Sequence, residues 1–310
     1  MVESQAEALL KEMVEVGDFG LLETVVKSEE EGVIKFLMKV GGGLEVESVF
    51  IPMRYKGTLC ISSQVGCQRG CAFCETGRMG LLRNLSVEEI VQQVFLARHR
   101  LGLAVDNIVF MGMGEPMDNF EAVMRAIAVL TDSAGLGFGS SRITVSTSGV
   151  VEGIDAMEKG TDPAVNLAVS VNAPTDEIRN RIMPVNRKWN LAELKGAMIR
   201  FCAHPRRQIF AEYVLLEGVN DFLECADLLA VYLRGLRVKV NLIPYNPQSR
   251  DRYAPPRMEV LEAFWRRMQE HGYLTFLRKT KGKKIMAACG QLGNLQLRAK
   301  RGRMLHSEKM

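Results

Sequence analysis

Histidine and tryptophan are scarce in this chain, with four and two in 310 residues. His99, His204 and His271 have no spacing that would pair them at a catalytic or metal centre. His99 and His271 fall at expected helix ends, where capping is the simpler role. No apolar run approaches the roughly 20 residues a membrane-spanning helix needs. The opening MVESQAEALLKEMVEVGD is acidic and amphipathic, not basic and then apolar like a secretory leader. These absences lead to an expectation of a cytoplasmic protein that uses no membrane. The seven cysteines, odd in number and uneven in spacing, argue against a disulfide framework.

Charge is present but uneven. Residues 1–50 carry four Lys or Arg against eleven Asp or Glu, while 275–310 carry ten against Glu308 alone. A basic end suits a polyanionic partner, because phosphates supply much of nucleic-acid affinity. Charge alone fits a solvated terminus as well.

Residues 5–16 read as a short amphipathic helix, and VIKFLMKV (33–40), Gly41–Gly43 and LEVESVFIP (44–52) as a β-hairpin. Apolar, β-branched strand candidates follow at 58–63, 107–112, 142–147, 165–171, 209–216, 238–244 and 273–278. Helical patterns lie between them at 86–100, 119–131, 150–158, 191–203, 221–234 and 257–270. Ser86 and Asn220 stand where helix caps belong. Repeated strand–helix units mean parallel strands with right-handed crossovers, in a barrel or a doubly wound sheet. Polar and glycine-rich segments recur after the strands, which in a barrel would gather them on one rim.

Three cysteines crowd into CQRGCAFC: Cys67, Cys71 and Cys74. Soft thiolates suit iron–sulfur chemistry or zinc. Structural zinc wants four ligands, and no histidine or fourth cysteine completes the set locally, although Cys60 is a conceivable fourth. Three ligands would leave one iron open to a small molecule. Gly66 and Gly70 allow the chain to curl around the group. The turn Gly112-Met113-Gly114-Glu115-Pro116 is weak evidence by itself, being also an ordinary strand-to-helix turn. Cys289, in KIMAACGQLGN, reads as a thiol on a mobile loop whose basic flank would favour the thiolate. Cys60, in TLCIS, reads equally well as a buried strand residue.

Taken together, these segments resemble the RlmN/Cfr family of radical S-adenosylmethionine (SAM) RNA adenine methyltransferases. The likeness runs over about residues 32–294 and includes EVESVFIP, TLCISSQVGCQRGCAFCETGRMG, FMGMGEPMDN, RITVSTSGV, APTDEIRNRIMPVN, EYVLLEGVND, KVNLIPYNP and RKTKGKKIMAACGQL. The resemblance implies an α/β fold, a partial (β/α)6 barrel, divided as an accessory unit (1–55), a core barrel (56–280) and a C-terminal cysteine loop with basic tail (281–310). It implies that Cys67, Cys71 and Cys74 hold a [4Fe–4S] cluster. SAM would be both methyl donor and radical source, contacted by Gly112, Gly114, Glu115, Pro116, Ser146, Ser170, Asn172 and Asn246. Cys289 would carry the methyl group, Cys60 would resolve a covalent protein–RNA intermediate by forming a disulfide, and Glu47 would assist near the adenine.

The substrate implied is adenine C2 of 23S ribosomal RNA and possibly transfer RNA. A monomer with an external electron donor such as flavodoxin would suffice. Asn172 stands where the family usually has histidine, the N-terminal unit is short and acidic, and GKKI replaces a usual acidic residue. A protein or small aromatic acceptor, or a non-enzymatic iron–sulfur RNA-binding or redox-sensing role, are the alternatives. Arg78, Arg83, Arg179, Arg207, Lys281 and Lys284 are among the basic candidates for RNA contact.

Overall fold

The computed structural model describes residues 22–27 (backbone only), 32–160, 164–204, 207–248 and 251–293. The expected helix at 5–16 and the basic tail beyond 293 lie outside the described residues.

The chain begins with an antiparallel meander of β1 (Leu22–Lys27), β2 (Ile34–Val40) and β3 (Leu44–Pro52), and β3 pairs antiparallel with β4 (Gly57–Cys60). A separate clasp, β5 (Gln64–Val65) with β6 (Arg83–Asn84), follows. Direction then stops alternating. β4, β7 (Asn107–Phe110), β8 (Ile143–Thr147), β9 (Asn166–Ser170), β10 (Ile209–Leu215), β11 (Val238–Pro244) and β12 (Thr275–Leu277) run parallel and neighbour one another in chain order. The helices between them are α1 (Glu75–Met79), α2 (Val87–Phe95), α3 (Phe120–Thr131), α4 (Val151–Lys159), α5 (Asp176–Ile182), α6 (Leu191–Cys202), α7 (Leu223–Leu233) and α8 (Met258–Glu270).

Strand order that never reverses decides the architecture. Right-handed crossovers then all fall on one face, and the sheet curls around the other. A doubly wound sheet would reverse order at a switch point. Six strand–helix units run from β4 to β12, and β1 and β12 are the unpaired ends of the sheet among the described residues. The fold is therefore a partial barrel, as expected, with its helix-facing core built on residues such as Phe110, Val145, Leu167, Tyr213 and Phe264. Each large apolar side chain buried there contributes roughly 1.5–3 kcal/mol.

The caps show one agreement and one correction. Ser86 opens α2 through a capping box: its Oγ accepts from Glu89 N (3.3 Å), and Ser86 N donates to Glu89 Oε2 (2.9 Å). Asn220 caps nothing, since α7 begins after Phe222. Its amide instead braces the β10 exit, accepting from Leu216 N (2.7 Å) and donating to Val214 O (2.8 Å) and Asn172 O (2.7 Å).

Candidate active site

The clasp of β5 and β6 closes the base of the loop that carries the cysteine triplet. Cys67 N donates to Gly80 O (3.1 Å) and Leu82 N to Val65 O (2.9 Å). Gly66 makes this closure possible. Its φ is +76°, and a Cβ there would stand 1.9 Å from Gly80 O, so any side chain meets both backbone strain and a clash. Farther round, Cys74 N bonds Cys71 O (3.1 Å) and Ala72 N bonds Ile182 O at the end of α5 (2.9 Å). The outer side is held by Arg69, whose Nε and Nη2 donate to the two carboxylate oxygens of Asp118.

All three thiols are free and enclosed by protein, yet Cys71 and Cys74 keep water access, as groups lining a concavity do. Burial raises the pKa of each, with neighbouring thiolates adding to the rise at Cys67 and Cys71 and Glu75 at Cys74; Cys71 is pushed up to about 12. Three soft donors that resist ionisation alone suit a metal group that deprotonates them on binding. Among the described residues no three His, Cys, Asp or Glu side chains converge on a single ion. Cys60 joins no such group either, so the zinc alternative loses its fourth ligand. The set fits an object larger than one ion with one corner left open.

The glycine turn after β7 is knitted to the segment that enters this loop. Ser62 Oγ accepts from Met113 N (2.8 Å), Gln64 Oε1 from Glu115 N (2.8 Å), and Met113 O from Ser63 N (2.8 Å). A Cβ on Gly114 (φ +107°) would press within 2.8 Å of Gln64 and Ser63. Buried Glu115 accepts from Met117 N (3.1 Å) and from Ser148 N and Oγ (both 2.7 Å). Its carboxylate therefore joins the β7 and β8 exits. Burial nonetheless pushes its pKa up. Pro116 follows at the start of the 3-10 turn Pro116–Asn119.

Register places the remaining candidates. Cys60 pairs with Val109, Val109 with Thr144; Ser146 pairs with Ala168, Ser170 with Glu212, Glu212 with Asn241, and Asn241 with Phe276. Because side chains alternate faces, Cys60, Ser146, Ser170, Glu212 and Asn241 share the inner face, the last three in one layer near the rim. Asn172 leaves the strand at φ +55°, a conformation asparagine tolerates. Its amide is engaged within the protein: Oδ1 accepts from Val214 N (2.8 Å) and Nδ2 donates to Met183 Sδ (3.3 Å). Asn172 is a brace between β9 and β10.

Cys289 does not sit on a free loop, contrary to the sequence reading. Beyond β12 the chain crosses the barrel's open side to the N-terminal meander. Lys281 Nζ donates to Pro52 O (2.8 Å) and Lys35 Nζ to Met286 O (3.2 Å). It then enters the mouth. Asn246 Nδ2 donates to Cys289 O (3.1 Å), while Glu75 N and Gln248 Nε2 bond Gly290 O (2.8 and 2.9 Å). Thr76 Oγ1 donates to Leu292 O (2.5 Å) and Gly293 N to Glu47 Oε2 (2.8 Å). Asn246 Oδ1 also accepts from Thr280 Oγ1 (3.0 Å), so its amide positions this segment instead of facing open space.

Glu47 and Lys35 form an ion pair (2.6 Å) that is over nine-tenths buried as side chains on one partner and about nine-tenths on the other. Together they grip both ends of 286–293. Breaking a buried pair leaves its partner uncompensated and costs about 3–5 kcal/mol. Lys35→Met is therefore expected to lower stability by about that amount and to speed hydrogen exchange across 286–293. Unchanged exchange there would show that the grip carries no load.

The electrostatics at Cys289 also differ from expectation. Its thiol reaches water yet is ringed by protein, and burial raises its pKa; Arg278 opposes the rise, while Glu212 and Cys74 add to it. Lys283 and Lys284 are exposed, and the basic group that lowers the Cys289 pKa is Arg278. Glu212, absent from the sequence reading, is buried, accepts from Asn241 Nδ2 (2.7 Å) and is charge-coupled to Arg278. Glu212→Gln is expected to lower the Cys289 pKa and quicken its alkylation at pH 8 by roughly threefold, because the thiolate is the reactive form. The pH profile of alkylation checks the sign.

Burial and then charge at Cys289 drive the Cys60 pKa far upward. The Cys289 segment is docked directly on the triplet loop, since Glu75 N, next to Cys74, donates to Gly290 O (2.8 Å). Some basic candidates drop out: Arg179 is wholly buried, Arg207 caps α4 through Glu158 O and Gly160 O (2.8 and 3.1 Å), and Arg83 pairs with Glu89. Among the described residues no helix is long and apolar enough to cross a membrane.

The geometry has relatives. The radical SAM superfamily model matches residues 61–229. The chain is 54% identical over 296 residues to the probable dual-specificity RNA methyltransferase RlmN 1 of Protochlamydia amoebophila, covering 96% of this chain and 83% of that protein. It is 46% identical over 290 residues to the dual-specificity RNA methyltransferase RlmN of Halorhodospira halophila, covering 93% and 80%. A crystal structure of a radical SAM methyltransferase from Sphaerobacter thermophilus superposes with a TM-score of 0.86 at 40% identity, covering 92% and 85%. A curled sheet presenting three free cysteines, and identity of this depth over nearly the whole chain, set aside the non-enzymatic reading: the chain belongs to the radical SAM superfamily and, within it, to the RlmN family of methyltransferases, which use a [4Fe–4S] cluster and SAM.

Proposed function

We propose that this enzyme methylates adenine C2 in RNA, with 23S ribosomal RNA and transfer RNA as its substrates, through a methyl group carried on Cys289. The observation that carries the reading is the docking of the Cys289 segment on the triplet loop: Glu75 N, next to Cys74, donates to Gly290 O (2.8 Å), and Gln248 Nε2 reaches both Phe73 O (2.6 Å) and Gly290 O (2.9 Å). The dual-specificity names of the relatives support the substrate.

In this reading Cys67, Cys71 and Cys74 hold the cluster. Bound there, cluster and SAM supply one-electron cleavage chemistry and a radical able to take hydrogen from a methyl group. The chain does the rest. Ser146, Ser170, and the 112–116 turn line the cofactor's side of the mouth; Asn246 and Gln248 hold Cys289 toward it. Cys289 must ionise to accept a methyl group, and the Arg278 charge favours that step. Methylation would leave Cys289 without a charge and so remove the smaller of the two effects that raise the Cys60 pKa, burial being the larger. Glu47, ion-paired with Lys35 and bonded to Gly293 N, would assist near the adenine by holding the end of the Cys289 segment. The enzyme works in the cytoplasm as a monomer with an external donor such as flavodoxin.

The test is anaerobic reconstitution with deuterium-labelled methyl-SAM and RNA lacking the modification, followed by mass analysis of protein and nucleosides. Label on Cys289 and then on C2 of adenosine is expected. Label on C8, on protein alone, or on no RNA nucleoside would overturn the assignment.

A further inference from the structure

Arg179 is the largest side chain among the described residues that water does not reach at all. It lies on α5, whose final carbonyl holds the triplet loop at Ala72. Its Nε donates to Val171 O (3.0 Å), Nη1 to Asn186 Oδ1 (2.9 Å), and Nη2 to Ser148 O (2.6 Å) and Ser170 O (3.1 Å). Every acceptor is neutral, and none of the ion pairs formed among the described residues includes it. Asp176 is reached only through Asn186, whose Nδ2 donates to Asp176 Oδ1 (2.9 Å).

A buried charge without a contacting counterion is strongly unfavourable. The carbonyls it satisfies need donors, not a full positive charge. Burial works against the guanidinium, yet the fold holds it against the β8 and β9 exits through Ser148 O and Ser170 O, one helical turn from Ile182, whose carbonyl bonds Ala72 inside the triplet. Glu115, an acid, is tied to Ser148 as well, accepting from its N and Oγ (both 2.7 Å).

We infer that Arg179 is a built-in counter-charge for the iron–sulfur cluster, set in the barrel wall to make the cluster easier to reduce. The inference rests on the reading of Cys67, Cys71 and Cys74 as ligands. When the oxidised cluster takes one electron from an external donor it gains one negative charge, and a fixed cation nearby favours that state. Glu115 and Asp176 oppose it. A bracing role alone would leave the reduction potential where it is.

The experiment is a dithionite titration of the reconstituted protein, followed by electron paramagnetic resonance with iron counted per chain. Arg179→Gln is expected to lower the ratio of reduced to oxidised cluster at fixed potential about tenfold, a shift of about 59 mV for one electron. Arg179→Lys should titrate close to wild type, and Asp176→Asn should shift the opposite way. Wild-type potentials in both Arg179→Gln and Asp176→Asn, each carrying full iron, would overturn the inference. If Arg179→Gln assembles no cluster, Asp176→Asn decides: a raised potential supports the counter-charge and an unmoved one ends it. A wild-type chain that takes up no cluster would overturn the ligand reading, and the inference with it.

Discussion

Replacing Cys60 with alanine is expected to leave the enzyme covalently attached to its RNA. In the proposed reaction the carbon carried on Cys289 becomes bonded to adenine while still joined to sulfur. Release needs a second sulfur to attack the first, forming the Cys60–Cys289 bond and breaking the sulfur–carbon bond. The electron pair goes to the carbon, which takes a proton to become the methyl group. Cys60 is the thiol charge-coupled to Cys289 from the inner face of β4. Without it the adduct has no exit, and turnover should fall by at least about 10³-fold, the scale of removing one member of a unit that acts together. A labelled RNA that migrates with the protein under denaturing, thiol-containing conditions reports the trap, since a thioether resists reduction. Removing Cys289 as well should abolish the adduct. Free methylated RNA formed at the normal rate by Cys60→Ala would exclude this role.

Cys289→Ala should fail one step earlier. No methyl group should appear on the protein and none on RNA, while iron content and the cluster spectrum stay as in wild type. The structure separates these effects. Cys289 is held through its carbonyl, which Asn246 reaches at 3.1 Å, and alanine keeps that carbonyl. Cys289 is an exposed residue, and its thiol accepts none of the bonds that dock the segment. Folding cost should therefore be small, within about 1 kcal/mol. Loss of iron in this variant would make Cys289 a ligand or a structural residue.

The barrel was legible because its strands are continuous apolar runs and its helices keep their period; the expected helix at 119–131 is Phe120–Thr131, and that at 191–203 is Leu191–Cys202. Helix α5 was missed because seven residues give too little period to read. The extra strand β1 likewise lacked a signal. At the site, the triplet and the Cys289 motif stood out as short-range patterns. Glu212 did not, because a glutamate inside EYVLL looks like one polar interruption until register sets it beside Ser170 and Asn241. The same holds for Asn172 and Asn246: their residue types suit a ligand contact, and only the folded chain reveals that neighbouring backbone has claimed their amides. Arg179 looked like a candidate for phosphate, since a basic residue's depth cannot be read from its neighbours in sequence.

The stretch from Lys281 to Gly293 covers the mouth beside the thiols of the triplet, fastened to Pro52, Lys35 and Glu47 on one side and to α1 on the other. A chain cleaved by a protease near Lys281 would retain every strand of the barrel and still lose this cover. Oxygen would then have a shorter way to the metal group than it has in the intact molecule. Resistance of the centre to air should thus fall with the first cut in this segment, before any loss of secondary structure.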